Sequence, residues 1–346
     1  MKRRNLKNLM MLLMLIAAVS MVAAGCGNNN AANNAGNNAA GAGAGNAADN
    51  TGGTPEPSGA PAEAATLSLG LLPSIDAIPF IIAHEQGFDT AHNVNLDIQT
   101  FKSAKDRDVA FQAGKLDGIS ADLVAISIYN EAGLDVKITS TTTGEFDLLT
   151  GNDEVQEVKD LKGKTVILSK NTSTQYTVAM MLKQAGLTED DITVTEVPQI
   201  PTRLELLKNK KADAAILPEP FVTMGVTSGL RVLSSTVSAG VNPFVLAFPQ
   251  SAIDAKAQAI RDMYAAYDEA VEYMKSHDQT EYIDLIIEEV GYPETLKDEI
   301  TVPEYLPANQ VDVKEVEAAF AWAREKGLLT KTISAEEVIS DVQFKE

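Results

Sequence analysis

The sequence predicts an α/β fold of two lobes, with two hinge crossings of the chain between them. From Thr66 onward, short β-rich segments alternate with helical segments, which is typical of βαβ units around a mainly parallel sheet. The same order of strands and helices occurs again from Lys164. A supersecondary unit that is used twice indicates two similar lobes rather than one large sheet.

Short runs rich in apolar and β-branched residues predict the strands, and apolar residues at helical spacing predict the helices. In the first half, the predicted strands are 66–71, 94–100, 118–121 and 136–141, and the predicted helices are 76–88, 104–113 and 123–132. In the second half, the strands are 164–169, 192–197, 212–217 and 231–234, and the helices are 174–184, 202–209 and 220–227.

The repeat is also visible in individual residues. The segments that begin at Arg107 and Arg203 align over fourteen positions, and Asp117 in the first segment falls opposite Asp213 in the second. Because the two arginines occupy matching places, we interpret them as packing residues shared by both lobes rather than as anion ligands.

The end of the chain has no second set of strands. A predicted strand at 243–248 is followed by helices, which we expect to return to the first lobe, at 253–276, 281–290 and 311–326. The expected lobes are therefore 66–147 together with 246–346, and 148–245. Two connections between lobes make a hinge, which suits closure over a ligand.

Residues 1–25 predict a secretory signal peptide, with a basic start, an apolar run at 9–22 and small residues before Cys26. The apolar run is too short to cross a bilayer comfortably. The segment that ends at Cys26 resembles the lipobox of bacterial lipoproteins, although Ala23 stands where Leu is usual. The alternative is an ordinary secretory signal with an incidental cysteine.

Lipidation of Cys26 would anchor the protein outside the cytoplasm, on the outer face of the cell membrane. Stable anchoring needs two lipid signals, which a diacylglyceryl thioether and an N-acyl chain such as palmitate would supply. Residues 26–65 are mostly Asn, Ala and Gly, so we expect a disordered tether with a reach of roughly 35 Å. Such a tether would let a folded body contact a partner in the membrane.

The composition argues against several functions. The net charge is −20, from 28 Lys and Arg against 48 Asp and Glu, so no binding surface for nucleic acid is expected. No other apolar run approaches the length of a bilayer crossing, which argues against a permease. One cysteine and three histidines show no metal-site spacing, and neither a Ser-His-Asp order nor a phosphate-binding glycine loop stands out. We therefore expect no catalytic residue, no metal and no cofactor.

Candidate ligand contacts follow from the rule that ligands bind beyond the carboxyl ends of strands in open α/β sheets. The segment 169–176 brings hydroxyl groups to a helix start, where free N–H groups favour an anionic or acceptor group, although one hydroxyl is expected to cap the helix. Asp76 is predicted either as a helix cap or as a ligand contact. The full set of candidates is Ser74, Ile75, Asp76, Ser120, Asp122, Thr142, Thr143, Asn171, Thr172, Ser173, Thr174, Tyr176, Glu219 and Pro220.

Three segments carry a resemblance to a known family: 75–88, 160–166 and 217–221. They resemble the extracytoplasmic substrate-binding proteins of ABC importers, closest to the nitrate/sulfonate/taurine group, which also includes binders of thiamine pyrimidine precursors. The resemblance implies a two-lobed, periplasmic-binding-protein-like fold (type II). It also implies delivery of one solute to a membrane permease that a cytoplasmic ATPase drives, and we expect a monomer. The family's cleft is lined by residues that match 74–76, 171–174 and 219–220 here.

The resemblance favours a solute-binding lipoprotein over an enzyme. A fungal pyrimidine synthase of this superfamily is known for a cysteine-rich motif, which a chain with one cysteine does not match. The alternative is a membrane-anchored enzyme or a ligand sensor built on the same two-lobed fold.

The sequence leaves the solute open. A sulfonate or nitrate would suit the helix start at 169–174. Carboxylates accept hydrogen bonds, so Asp76, Asp122 and Glu219 instead suit a ligand with N–H donors, such as an aminopyrimidine. We favour the nitrogenous organic ligand.

Overall fold

The computed structural model describes residues 64–345. The predicted signal peptide, Cys26 and nearly all of the predicted tether lie outside the described residues. Within the described part of the chain, two five-stranded sheets form, and helices cover both of them. The α/β fold with two sheets and two crossings, as the sequence predicts, is confirmed.

The first sheet has the strand order β2-β1-β3-β10-β4, in which β10 alone runs antiparallel to its neighbours. Its strands are β1 (Ala65–Leu71), β2 (Val94–Thr100), β3 (Gly118–Asp122), β4 (Val136–Thr141) and β10 (Phe244–Pro249). The second sheet has the order β7-β6-β8-β5-β9, with β5 as the antiparallel strand. Its strands are β5 (Phe146–Thr150), β6 (Thr165–Leu168), β7 (Thr193–Glu196), β8 (Ala214–Pro218) and β9 (Arg231–Ser235).

The two sheets therefore have the same architecture, and each receives its antiparallel strand directly after a crossing. The chain leaves the first sheet after β4 and enters the second as β5, and it returns after β9 as β10. Strand β5 is not among the strands that the sequence predicts, and its five residues lie across the predicted boundary between the lobes. Its pairing with β8 and β9 is long-range and leaves no periodic signal in so short a segment.

Ten α-helices surround the sheets in the described residues. They are α1 (Ile78–Glu85), α2 (Phe88–Ala91), α3 (Ala104–Gln112), α4 (Leu123–Glu131), α5 (Ser173–Gln184), α6 (Ile200–Lys208), α7 (Phe221–Thr227), α8 (Gln250–Ser276), α9 (Ile283–Ile286) and α10 (Val313–Glu325). The predicted helix 76–88 is interrupted, because Gly87 adopts a left-handed conformation with φ of 75° and ends the first part. The predicted helix 281–290 is divided between the short α9 and a π-helical turn over Ile287–Gly291.

Alternating side chains of β10 face two different layers of helices. Leu246 and Phe248 pack with α1 and α8, whereas Val245 and Ala247 pack with α4 and α10. The first sheet is thus buried on both faces, as parallel α/β sheets usually are. Gly118 allows this packing, because a Cβ atom there would lie 2.4 Å from the ring of Phe248. No helix among the described residues has both the length and the apolar character of a membrane crossing.

The internal repeat is present in the hydrogen bonds of both lobes. The carboxylate of Asp117 accepts from the backbone N–H of Ser68 at 2.9 Å, and that of Asp213 accepts from the backbone N–H of Thr165 at 2.8 Å. Asp117 thereby ties the turn before β3 to β1, and Asp213 ties the turn before β8 to β6. The alignment read from the sequence corresponds to the same contact made twice.

The two aligned arginines also repeat one contact. Arg107 donates through Nη1 to the carbonyl of Ser120, and Arg203 donates through Nη1 to the carbonyl of Ile216 at 3.3 Å. Each acceptor lies thirteen residues after its arginine. Both side chains are buried, at 2% and 3% exposure. This contact agrees with the interpretation of both arginines as packing residues. It does not account for the other contacts of the two guanidinium groups.

Candidate functional site: the interlobe cleft

A cavity lies between the carboxyl ends of the strands of both lobes. We call it the interlobe cleft. The polar or charged residues that line it are Ser74, Asp76, Arg107, Ser120, Asp122, Ser169, Thr172, Ser173, Thr174 and Arg203. Its apolar walls are Leu72, Ala104, Ala121, Phe146, Pro198, Ile200, Pro218 and Phe244. An apolar pocket with a few convergent polar groups is the usual form of a small-molecule site.

Asp76 is the central carboxylate of the first lobe's wall. It lies in a 3-10 turn before α1, and only 4% of it is exposed. Its Oδ1 accepts from the hydroxyl of Ser74, and its Oδ2 accepts from the hydroxyl of Ser120 at 2.5 Å. The cap residue of α1 is Ala77, which makes no side-chain cap. Asp76 therefore does not cap this helix, and the other predicted role, contact with a ligand, stays open to it.

Asp122 is the second carboxylate of the first lobe's wall. It caps α4 by accepting from the backbone N–H of Ala125 at 2.9 Å. Burial raises its pKa, against the opposing effects of that hydrogen bond and of the positive charge of Arg107. Ser173 of the second lobe lies close enough to this carboxylate to oppose the rise in its pKa. Asp122 thus faces the second wall.

The wall of the second lobe is the start of α5. Thr172 is the N-cap, and its Oγ1 accepts from the backbone N–H of Thr174 at 3.3 Å. Thr174 Oγ1 in turn accepts from the backbone N–H of Ser169 at 3.1 Å. Since Thr172 serves as the cap, the buried hydroxyl of Ser173 is not needed to cap α5, and Ser173 lines the cleft.

Arg203 also belongs to the second wall. It donates to three backbone carbonyls: Nε to Val197 at 2.7 Å, Nη2 to Pro198 at 3.1 Å, and Nη1 to Ile216. No carboxylate forms an ion pair with it in the part of the chain that the structure describes. Burial lowers the pKa of Arg203 to about 10, so it keeps its charge at neutral pH.

Arg107 differs from Arg203 in its charge partner. Its Nη2 lies 2.7 Å from Oδ1 of Asp108, the next residue in the chain. Burial opposes the charge of Arg107, but the neighbouring Asp108 keeps its pKa above the ordinary value. In the aligned segment, the position of Asp108 is taken by the buried Leu204. The second lobe therefore presents a cation that its own sequence does not neutralise.

Half of the predicted ligand contacts line the cleft, and half do not. Those that line it are Ser74, Asp76, Ser120, Asp122, Thr172, Ser173 and Thr174. Those outside its lining are Ile75, Thr142, Thr143, Asn171, Tyr176, Glu219 and Pro220. Sequence reasoning favoured packing for Arg107 and Arg203, which line the cleft as well. The signal that could have distinguished them is the exchange of Asp108 for Leu204 between the repeats.

Two residues outside the lining have other partners. The ring of Tyr176 lies edge-on to Trp322, with ring centroids 5.7 Å apart, so α5 of the second lobe packs against α10 of the first. Glu219 accepts from Thr223, through its backbone N–H at 3.0 Å and its hydroxyl at 2.9 Å. Tyr292 of the C-terminal segment lies close enough to Glu219 to affect its pKa. These residues join the lobes beside the cleft.

Metal ligation is not evident here. Among the described residues, no group of three or more His, Cys, Asp or Glu side chains is arranged to hold a metal ion. The polar groups of the cleft are carboxylates, which accept hydrogen bonds, guanidinium groups, which donate them, and hydroxyls, which do both; they suit an organic or polyatomic solute.

The two lobes and the cleft between them define the class: a protein with the periplasmic-binding-protein fold. Residues 60–288 match the sequence model of the NMT1-like family, and the chain belongs to this family. A protein of Brachyspira hyodysenteriae, named as an ABC transporter periplasmic binding protein, is 22% identical over 204 residues. That match covers 53% of this chain, and the chain spans 58% of the length of that protein.

Solved structures share the fold at low identity. The alkanesulfonate-binding protein SsuA from Xanthomonas axonopodis pv. citri, bound to MOPS, has a TM-score of 0.70 at 17% identity, covering 81% of this chain and 99% of its own. The nitrate-binding protein NrtA from Synechocystis PCC 6803 has a TM-score of 0.66 at 16% identity, covering 82% and 88%. The desulfurization enzyme DSZB has a TM-score of 0.59 at 14% identity, covering 80% and 96%, so the same fold also carries catalysis.

Proposed function

We propose that this protein is the solute-binding component of an ABC importer and that it holds a small solute with an anionic group in the interlobe cleft. The observation that carries the proposal is the cleft's second wall, which contains both the buried Arg203 and the hydroxyl-bearing start of α5. A guanidinium and a helix start both favour oxyanions. Relatives named for sulfonate and nitrate binding support the same solute class.

The predicted pyrimidine-like solute remains an alternative. Its support is the pair Asp76 and Asp122 in the first wall, since carboxylates accept from N–H donors. Glu219 lies outside the cleft lining, which removes one of the three carboxylates on which that prediction rested.

The proposal includes lipidation of Cys26, a tether and a position on the outer face of the cell membrane. All three concern residues that lie outside the described part. The partners would be a membrane permease and its ATPase, with the protein itself a monomer. The lobe limits 66–147 with 246–346, and 148–245, are supported by the membership of the sheets, although β5 already begins at Phe146.

A screen of thermal stability, followed by recovery of the solute, tests this function against an enzyme. A solute present at about 100 times its Kd should stabilise the protein by about 2.7 kcal/mol, which corresponds to roughly 5 °C in Tm. The compounds are sulfonates, nitrate, pyrimidines and amino acids, followed by recovery of the bound solute. A binding protein returns the solute unchanged, whereas an enzyme converts it. If no compound of these classes raises Tm, the proposed function is wrong.

Removal of two hydroxyls at the start of α5 should weaken solute binding. In the double variant Ser173→Ala with Thr174→Ala, we expect roughly 10-fold lower affinity, because two hydroxyl groups are lost from the lining of the cleft. Lobe stability should fall only slightly, since the cap Thr172 remains. Isothermal titration measures the affinity. The control is Thr193→Ala with Thr195→Ala, which removes two exposed hydroxyls from the same lobe. Equal affinity in both double variants would contradict the site.

A further inference from the structure

We propose that Tyr305 is a positioning residue of the interlobe cleft. Its hydroxyl, carried by a C-terminal strap at residues 300–311, holds the cleft turn, residues 74–77, which presents Ser74 and Asp76 to the cleft. Tyr305 itself is not part of the cleft lining, so it acts through the turn. The inference rests on the proposed function, because it takes the cleft as the solute site, and it holds for any solute class.

The cleft turn has little stability of its own. It contains a single 3-10 turn without a side-chain cap. The hydrogen bonds that close it run from the N–H of Ala77 to the carbonyl of Ser74, at 3.1 Å, and from the N–H of Ile78 to the carbonyl of Ile75. So few hydrogen bonds do not offset the loss of conformational entropy when the turn is ordered. Contacts from other parts of the chain must therefore hold it.

Two hydroxyl groups from distant parts of the sequence contact the cleft turn. Ser120 of β3 donates to the carboxylate of Asp76 at 2.5 Å. Tyr305 donates to the carbonyl of Ile75 at 2.7 Å, across 230 residues of sequence. A carbonyl oxygen has two lone pairs, so Ile75 accepts from Ile78 and from Tyr305 together. The first contact orients the carboxylate, and the second fixes the backbone next to it.

The surroundings of Tyr305 keep its hydroxyl in place as a donor. Tyr305 is 2% exposed and belongs to the hydrophobic core of the first lobe, whereas the adjacent Leu306 is exposed. Burial raises the pKa of Tyr305 well above its ordinary value, and the nearby Tyr267 and Asp76 act in the same direction. The hydroxyl therefore keeps its proton at neutral pH. A buried tyrosine hydroxyl usually has a hydrogen-bond partner, and here the partner is the cleft turn.

The strap is anchored on both sides of Tyr305. Before it, the carbonyl of Ile300 accepts from Nε2 of Gln279 at 3.0 Å. After it, the N–H of Ala308 donates to the carboxylate of Asp268, on α8, at 2.6 Å. A segment without helix or strand needs such side-chain partners for its backbone groups. These anchors fix the place from which Tyr305 reaches the cleft turn.

Replacement of Tyr305 by phenylalanine tests the proposal, because it keeps the ring in the core and removes only the hydroxyl. In the intact protein without solute, hydrogen exchange detected by mass spectrometry reports on the N–H groups of Ala77 and Ile78. We expect them to exchange roughly 5-fold faster in Tyr305→Phe, since loss of one hydrogen bond makes local opening of the cleft turn easier. Exchange in β2 of the same sheet should not change. Unchanged exchange in the cleft turn, or equal acceleration in β2, would contradict the positioning role.

The matched control is Tyr264→Phe. Tyr264 is buried in the same core, its hydroxyl lies 2.6 Å from Oγ1 of Thr139, and it does not line the cleft. Both variants lose one buried hydroxyl and should lower Tm by similar amounts. Only Tyr305→Phe should speed exchange in the cleft turn. If Tyr264→Phe speeds it as much, the cause is general loosening of the lobe, and the proposal is wrong.

Isothermal titration connects the cleft turn to solute binding. The probe is ethanesulfonate or, if the parent protein does not bind it, the screened compound that raises Tm most. We expect roughly 5-fold weaker binding in Tyr305→Phe and the parent's affinity in Tyr264→Phe. Equal affinity in all three proteins would overturn the proposal and leave the proposed function standing. If no screened compound binds the parent protein, the proposed function fails, and the exchange of the cleft turn alone decides the role of Tyr305.

Discussion

Replacement of Arg203 by glutamine is expected to weaken solute binding about 100-fold, because it removes the only cation of the described cleft lining that has no ion-pair partner there. The loss should be measured by isothermal titration with whichever anionic solute stabilises the protein. It should also flatten the salt dependence of the affinity, since the charge attraction is lost. Arg203→Lys keeps the charge but not the planar fork of donors, so we expect an intermediate affinity.

The matched control for this change is Arg231→Gln. Arg231 belongs to the same lobe and also donates to backbone carbonyls, those of Asn152 and Val155, both at 3.0 Å, but it does not line the cleft. Both variants should lose comparable stability from these contacts. Only Arg203→Gln should lose affinity. If Arg231→Gln weakens binding as strongly, the effect comes from general loosening of the lobe, and the role given to Arg203 is wrong.

Replacement of Asp147 by asparagine is expected to stabilise the protein by about 2 kcal/mol at pH 8.5 and hardly at pH 4. Asp147 lies on β5, next to the first crossing, and burial together with the charges of Glu145 and Glu219 raises its pKa to about 7. One of its oxygens, Oδ1, is buried without a hydrogen-bond partner among the described residues. Asparagine is uncharged at every pH, and its amide can donate hydrogen bonds to the neighbouring carboxylates.

The sign of the pH dependence follows from the raised pKa. Below about pH 4, Asp147 is protonated in both the folded and the unfolded chain, so it has no effect on stability. Between about pH 4 and 7, the unfolded chain releases the proton while the folded chain keeps it, and the free energy of unfolding falls as the pH rises. Above about pH 7, the decrease in the free energy of unfolding that Asp147 causes is complete. Burial raises the pKa of Glu219 as well, so Glu219 also lowers the free energy of unfolding as the pH rises.

Urea unfolding at several pH values measures this effect. The free energy of unfolding of the parent protein should decline between pH 4 and 7 by more than that of Asp147→Asn. The control Asp153→Asn removes a charge from an exposed position in the same lobe and should keep the parent's pH profile. Parallel profiles for the parent protein and Asp147→Asn would show that Asp147 does not hold a proton at neutral pH.

Most strands and helices could be predicted because their signals are local. Alternation in β10 and helical spacing in α10 are properties of neighbouring residues, so they are present in the sequence itself. The repeated arginine and aspartate also marked the two lobes correctly, since the same contacts recur at the same spacing. Strand β5 was missed because only its partners β8 and β9 define it.

The candidate site could be predicted in part for the same reason. The hydroxyls at 172–174 follow a strand directly, and the rule of strand ends was enough to nominate them. Glu219 follows a strand as well, but its carboxylate accepts from Thr223 and lies beside the cleft. The direction in which a loop side chain points depends on tertiary contacts, and the spacing of residues along the sequence does not describe these contacts.

The sequence by itself determined that this chain folds as two repeated α/β lobes with polar strand ends, because periodicity and composition act over neighbouring residues. Only the tertiary structure decided which charges remain unmatched. Asp76 receives Ser120, 44 residues away, while Arg107 receives Asp108 and Arg203 receives no carboxylate among the described residues. The physical reason is that neutralisation depends on distances of a few ångströms between segments that the folded chain brings together.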